Sequence, residues 1–205
     1  MLLKYHKVLT WLLFFIASLD VLAWQLNHDM LLAWVPWFKG MTFNTALGFI
    51  SLSLAILLFQ HNTLLSNRMA RFLLLSWGIF ASFSLAQDVF QVNLGLDQWF
   101  LTLPQETDHT YAGRMSPLTA MAFITSSFIL IMVMHHQHFK HSKIIVLTLI
   151  LLLILLVLQG LSLHFFHVHA NHTWAHLASM SLMTSFSFFL IILITLSLFR
   201  ASNTT

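Results

Sequence analysis

Six long apolar stretches occupy most of the chain, and each is long enough to cross a lipid bilayer as a helix. A transmembrane helix needs roughly 17–25 predominantly apolar residues. Charged residues make up only 7% of the 205 residues, whereas a soluble domain contains about 25%. The stretches cover residues 8–26, 43–59, 70–92, 116–134, 143–165 and 177–199. The sequence therefore predicts one all-α integral membrane domain, 1–205, built from three helical hairpins at about 8–59, 70–134 and 143–199.

The second helix of each predicted hairpin begins with the same pattern, which we call the signature. It consists of a methionine, a threonine four residues later and a phenylalanine four residues after that. The signature residues are Met41, Thr45, Phe49, Met115, Thr119, Phe123, Met180, Thr184 and Phe188. A hydroxyl residue follows each methionine and suits a helix N-cap. Because a pattern repeated at this period is typical of one structural unit used several times, we expect three equivalent hairpins whose second helices pack together.

The positions of lysine and arginine predict the orientation of the chain in the membrane. Cytoplasmic loops carry an excess of these residues. With the N-terminus inside, only Lys39 and Arg114 fall on the outer side. The cytoplasmic group is Lys4, Lys7, Arg68, Arg71, Lys140, Lys143 and Arg200. We therefore predict an N-in/C-in topology with the basic side against anionic lipid, and we expect no binding to nucleic acid.

Polar groups collect on the predicted outer side, where the three signature helices begin. Asp20 and Asp88 lie in the outer parts of the first and third helices, and an intramembrane carboxylate is a candidate functional residue by default. The free N–H groups of a helix start favour anions or polar groups. The candidate ligand-binding residues are Met41, Asn44, Thr45, Met115, Thr119, Met180, Thr184, Asp20, Asp88 and Arg114. The alternative is that these residues only hold the bundle together.

Histidines suggest a second kind of site on the same side. Imidazole is a common ligand of zinc and copper, and the chain has thirteen histidines. The candidate metal ligands are His28, His164, His167, His169, His172 and His176. Their spacing matches no compact motif such as H-E-x-x-H, so a hydrated loop of solvated histidines is the alternative. Copper, zinc or a single outer-side haem are the cofactors left open.

Other sequence features exclude several classes of function. The chain has no cysteine, which excludes disulfides and thiolate metal sites. No helix carries the two histidines that a pair of haems spanning the bilayer would need. Catalytic triads, phosphate-binding loops and paired catalytic carboxylates are not recognisable either. We therefore expect that the chain is not an enzyme.

Two segments carry a family resemblance. The first reads Phe43-Asn44-Thr45-Ala46-Leu47, and the second reads Gly113-Arg114-Met115-Ser116-Pro117. Together with the stretches around them, from roughly residue 8 to 199, they resemble a six-helix membrane sensor region that lies N-terminal to many bacterial sensor histidine kinases and diguanylate cyclases. The polar residue that usually precedes the threonine in that family is present only as Asn44; Leu118 and Met183 replace it in the other two copies.

The resemblance implies a location in the bacterial inner membrane and a sensor-like function. We expect a module that binds a small or lipid-soluble ligand on its outer side. Because Thr205 closely follows the sixth helix and no kinase, cyclase or PAS segment is present, we expect action through another membrane or signalling protein, with homo-oligomerisation left open. The alternative is an accessory subunit of a membrane redox or metal-handling complex whose outer histidines contact metal or haem.

Overall fold

In the residues that it describes, the computed structural model contains six long helices. It describes residues 5–26, 41–100, 105–107, 110–111, 113–135, 142–165 and 180–202. The helices are α1 (Tyr5–Gln25), α2 (Phe43–Gln60), α3 (Leu64–Phe90), α4 (Pro117–Met134), α5 (Ser142–Phe165) and α6 (Leu182–Ser202). All six are long and apolar enough to cross a membrane. The prediction of an all-α, multi-pass membrane protein is therefore confirmed, with six candidate spans in the described residues.

The connection between α3 and α4 contains short elements that the sequence did not predict. A single turn of 3-10 helix covers Leu96–Gln98. Two very short strands follow, β1 (Gln105–Thr107) and β2 (Thr110–Tyr111), and they pair antiparallel. The 3-10 turn is the element that matters for the candidate site, because its residues contact the start of α2.

The helices form a closed ring with three of them nearer the centre. Each helix packs against its neighbours in the chain, α6 returns to α1, and α4 additionally contacts both α2 and α6. In the most apolar stretch of each helix, 56, 61 and 67% of the residues of α2, α4 and α6 are buried. The corresponding shares for α1, α3 and α5 are 28, 28 and 33%. The signature helices are therefore the inner helices, and the other three form the lipid-facing layer.

Three phenylalanines, one from each inner helix, meet at the centre of the bundle. Phe49, Phe123 and Phe188 are fully buried. Their ring centroids lie 4.9, 4.8 and 4.9 Å apart, so that each ring contacts the other two. Tilted and edge-to-face pairs at this spacing are the arrangements that aromatic rings prefer. This triangle fixes the distance between the inner helices.

Helix α3 begins six residues earlier than the apolar stretch predicted. Thr63 and Ser66 form a reciprocal capping box, in which each side chain accepts a hydrogen bond from the backbone of the other. Such a box satisfies two of the N–H groups that a helix start leaves free. Arg68 and Arg71 lie in the first two turns and lower the local hydropathy. A prediction based on the length of the apolar stretch therefore places the start of α3 too late, at residue 70.

Candidate functional site

One end of the bundle contains the starts of all three inner helices, and we call it the capped end. Asp20, near the end of α1, contacts Met41. Arg114, just before α4, pairs with Asp88 near the end of α3. A Cβ placed on Gly160, near the end of α5, would lie 2.9 Å from the Cβ of Met180. The methionines that open the signatures therefore lie on the same side of the bundle.

The inner helices begin with the N-caps that the sequence predicts. Thr42 and Ser116 have nearly identical extended backbones, with φ, ψ of −66°, 152° and −65°, 153°. In each helix the cap hydroxyl forms a hydrogen bond with the signature threonine. The pairs are Thr42–Thr45 (2.8 Å), Ser116–Thr119 (2.9 Å) and Ser181–Thr184 (2.9 Å). Ser116 and Ser181 also accept the backbone N–H of that threonine, as N-cap side chains typically do.

All nine signature residues are buried, with exposures between 0 and 3%. The stripe therefore faces the interior of the bundle, as its helical spacing predicts. The threonine hydroxyls are already hydrogen-bonded within their own helix starts. These residues act in packing and capping, which is the structural alternative considered from the sequence.

Asp20 joins α1 to the start of α2. Its Oδ2 accepts a hydrogen bond from the Met41 N–H at 3.2 Å, and its side chain is buried. The indole N–H of Trp24 donates to the Met41 carbonyl at 2.8 Å. A carboxylate at a helix N-terminus is stabilised by the free N–H groups and the helix dipole. The position of Asp20 is therefore explained by the attachment of one helix to the next.

A second polar group joins α3 to α4, and its centre is Arg114. The guanidinium donates from Nε to Asp97 Oδ2 at 2.8 Å, and its Nη1 lies 3.2 Å from Asp88 Oδ1. Asp97 is only 3% exposed, and its other oxygen accepts from Gln87 Nε2 at 3.3 Å. Burial of a carboxylate is tolerated when it is paired and hydrogen-bonded. One arginine thus serves two carboxylates at this site.

The same 3-10 turn contacts the start of α2. Asn44 Nδ2 donates to the Asp97 carbonyl at 3.3 Å. Gly113 lies against the same carbonyl, and any Cβ at this position would overlap it. We refer to the set Asn44, Gln87, Asp88, Asp97, Gly113 and Arg114 as the clasp. It holds the α3–α4 connection over the first turn of α2.

The clasp contains a buried side-chain oxygen, that of Asn44, without a hydrogen-bond partner. Asn44 is 1% exposed, and its Oδ1 accepts no hydrogen bond in the structure. A buried acceptor left unsatisfied costs about 1–3 kcal/mol. At the position of Asn44, directly before the signature threonine, the other two copies have Leu118 and Met183. Asn44 is therefore a candidate ligand-binding residue with hydrogen-bonding capacity that the structure leaves unused.

The structure brings together some of the predicted site residues and adds others. Asn44, Asp88 and Arg114 meet in the clasp, and Asp20 meets Met41. Sequence reasoning missed Gln87 and Asp97. The available signals were that Gln87 adjoins Asp88 and that Asp97 lies in a polar loop close to Gly113-Arg114. Neither signal identifies a partner, because the pairing depends on how the connection folds.

The candidate metal ligands fall almost entirely outside the described residues. His28, His167, His169, His172 and His176 are not described. His164 lies within α5, but its side chain is not described either. In the parts of the chain that the structure describes, no three His, Cys, Asp or Glu side chains are grouped to hold a metal ion. The metal site therefore stays a prediction from the sequence.

The end of the bundle opposite to the capped end is basic. The cations there, at the starts of α1, α3 and α5 or the end of α6, are Lys7, Arg68, Arg71, Lys143 and Arg200. Within the described ranges, the aspartates all lie at the capped end. A small apolar cavity of about 10 Å³ at the basic end, between α2, α3, α4 and α6, has room for about one water molecule. It is too small to hold a ligand.

The capped end offers several hydrogen-bonding groups. Its groups are an amide oxygen without a partner, one guanidinium shared by two carboxylates, and the helix starts, of which those of α4 and α6 are capped by serine hydroxyls. An acceptor of this kind recognises the N–H or O–H group of a ligand. Comparison of the chain with protein-family models, with curated proteins and with solved structures gave no match.

Proposed function

We propose that the chain is a non-enzymatic, sensor-like membrane module that binds a small or lipid-soluble ligand at the capped end. The observation that carries the proposal is the buried and unpartnered Oδ1 of Asn44 at the start of an inner helix. A ligand that donates a hydrogen bond to this oxygen would remove the cost of leaving it unsatisfied. The ligand class is therefore a molecule with at least one N–H or O–H donor.

The contacts around Asn44 supply a route from ligand to helix position. Its amide donates to the Asp97 carbonyl, and Asp97 is paired with Arg114 immediately before α4. A ligand at Asn44 therefore acts on the relative position of α2 and α4, which meet further along at Phe49 and Phe123. Both helices continue to the basic end, where a partner protein would detect the change.

The capped end faces outward in this proposal, and the three hairpins are equivalent units in an N-in/C-in arrangement in a bacterial inner membrane. The basic end of the bundle supports the orientation, because cations accumulate on the cytoplasmic side. The matching cap geometry of α2 and α4 and the triangle of phenylalanines support the equivalence of the units. The ligand would then arrive from the periplasm or from the outer leaflet.

Replacement of Asn44 tests the binding proposal directly. Asn44→Leu introduces the residue that the second signature has at this position, so its size is compatible with a signature helix. Wild-type protein purified in mild detergent from its native membrane should carry a small molecule that solvent extraction and mass spectrometry detect. Asn44→Leu should lose that molecule while keeping its helical circular dichroism. Gly78→Ala, far from the capped end, is the matched control and should retain it.

Two results would overturn the proposal. The first is retention of the co-purified molecule by Asn44→Leu at the wild-type ratio. The second is the recovery, from protein without an affinity tag, of about one equivalent of copper or zinc or of a haem Soret band, with no small organic donor. The second result would favour the alternative function, an accessory subunit of a membrane redox or metal-handling complex.

A further inference from the structure

The last two residues of α3 and the segment that follows carry large apolar side chains on their surface, and we call these residues the collar. Their exposures range from 47 to 73%. The collar consists of Val89, Phe90, Val92, Leu94, Trp99 and Phe100. An exposed apolar patch outside the membrane-spanning helices marks a surface that is covered by lipid or by a partner protein. The question is which of these covers the collar.

The collar does not project away from the bundle, because its far end folds back along α3. The ring centroid of Phe80 lies 6.5 Å from that of Trp99 and 5.9 Å from that of Phe100. Phe80 is ten residues before the end of α3, or about 15 Å along the helix at 1.5 Å per residue. Its neighbours Ile79 and Phe83 are more than half exposed on the lipid-facing helix. The collar is therefore continuous with the lipid-facing surface of α3.

The charges of the segment fit a lipid environment. Asp97 is the only charged residue between 89 and 100, and it is buried against Arg114. Trp99 and Phe100 are large aromatic side chains, and tryptophan is enriched where the bilayer meets water.

The backbone of the segment also suits a region with little water, where N–H groups must find partners within the protein. Six N–H groups of residues 91–100 donate hydrogen bonds inside the protein. They belong to Gln91, Val92, Leu94, Gly95, Gln98 and Trp99. Their acceptors include both the carbonyl and the side-chain oxygen of Gln87. Because these N–H groups already have acceptors within the protein, moving this irregular backbone out of water costs less free energy.

We propose that the collar lies in the interfacial layer of the bilayer and anchors the α3–α4 connection to the lipid leaflet. The occupant of this surface is the acyl and headgroup boundary of the membrane. Because Asp97 lies between the collar and Asn44, the anchor holds the clasp at the level of the lipid headgroups. This inference stands on the exposed surface and the backbone bonds, and it does not depend on ligand binding at Asn44.

Spin-label accessibility tests the anchor, and the absence of native cysteines allows single labels. Phe100→Cys and Leu94→Cys carry the label on the collar. Ile79→Cys is the lipid control, and His61→Cys, in the exposed turn between α2 and α3, is the aqueous control. Each protein is reconstituted in vesicles of phosphatidylcholine and phosphatidylglycerol. Electron paramagnetic resonance then measures collisions with oxygen, which partitions into lipid, and with a water-soluble nickel chelate.

We expect both collar labels to collide more often with oxygen than with the nickel chelate, as the Ile79 label does. The His61 label should show the reverse ratio. If either collar label matches the His61 label, the collar faces water and the anchor is wrong. Because all four positions are on the surface, their labels should leave the circular dichroism spectrum unchanged, and a changed spectrum at a collar position would also count against a lipid-facing surface.

Discussion

Gly48 offers the sharpest test of the packing of the inner helices. An added Cβ at this position would lie 2.6 Å from Phe123 Cζ and 2.7 Å from Trp77 Cε2. Both distances are far below ordinary contact, and both atoms belong to buried rings at the centre of the bundle. We therefore predict that Gly48→Ala destabilises the protein even though alanine is the better helix former.

The magnitude follows from two opposing effects. Replacing glycine by alanine inside a helix contributes roughly 0.8–1 kcal/mol of stability. Forcing an extra carbon into a filled core costs about 1–3 kcal/mol. Gly48→Ala should therefore lower the free energy of unfolding by up to about 2 kcal/mol. Gly78 is the matched control, because its added Cβ would meet only Ser127 Cβ at 3.4 Å and Oγ at 3.6 Å. Gly78→Ala should be neutral or stabilising.

The measurement is unfolding of the detergent-purified protein by titration with sodium dodecyl sulfate, followed by circular dichroism. Trp77→Phe supplies a rescue, since the indole nitrogen that lies against Gly48 has no hydrogen-bond partner to lose. In the Gly48→Ala background this second change should recover part of the lost stability. Equal stability of Gly48→Ala and Gly78→Ala, or no recovery by Trp77→Phe, would refute the tight packing described above.

Three further predictions concern the clasp, the caps and the orientation. Arg114→Met leaves the buried Asp97 carboxylate without its guanidinium and should lower the free energy of unfolding by about 3–5 kcal/mol. Adding Asp97→Asn to this variant should recover much of the loss in the same titration. Equal losses in the single and the double variant would contradict the pairing. Ser116→Ala removes a cap hydroxyl and should cost about 1 kcal/mol, so an unchanged midpoint would contradict the cap. An impermeant thiol reagent applied to intact inner membrane should label Asn93→Cys and spare His61→Cys, and the opposite labelling would reverse the topology.

The six helices could be predicted from the sequence because apolar length is a direct requirement of the bilayer. The clearest error, the start of α3, arose where Arg68 and Arg71 follow a strong capping box. There the local hydrogen bonds of Thr63 and Ser66 decide where the helix begins, and hydropathy does not. The inner position of α2, α4 and α6 was predicted in outline by the spacing of the signature, since residues four apart share a helix face.

The candidate site was predictable only in part. Asn44, Asp88 and Arg114 could be selected because polar residues near the ends of membrane helices are unusual and need partners. Asp97, the partner of both Asn44 and Arg114, could not be selected, because 53 residues separate it from Asn44. The 3-10 turn presents both the carbonyl and the carboxylate of Asp97. No periodic pattern in the sequence predicts this turn. Contacts of this kind are decided by the folding of the connection.

The features that the three signatures share and the features that distinguish them point to different roles. The shared methionines, threonines and phenylalanines are buried, and the threonine hydroxyls are used by the caps. Packing and capping account for them without a ligand. Asn44 stands where the other copies have Leu118 and Met183, and it alone among the three brings an amide to the α3–α4 connection. In the proposed function, selectivity for a ligand therefore comes from the helix start that carries Asn44.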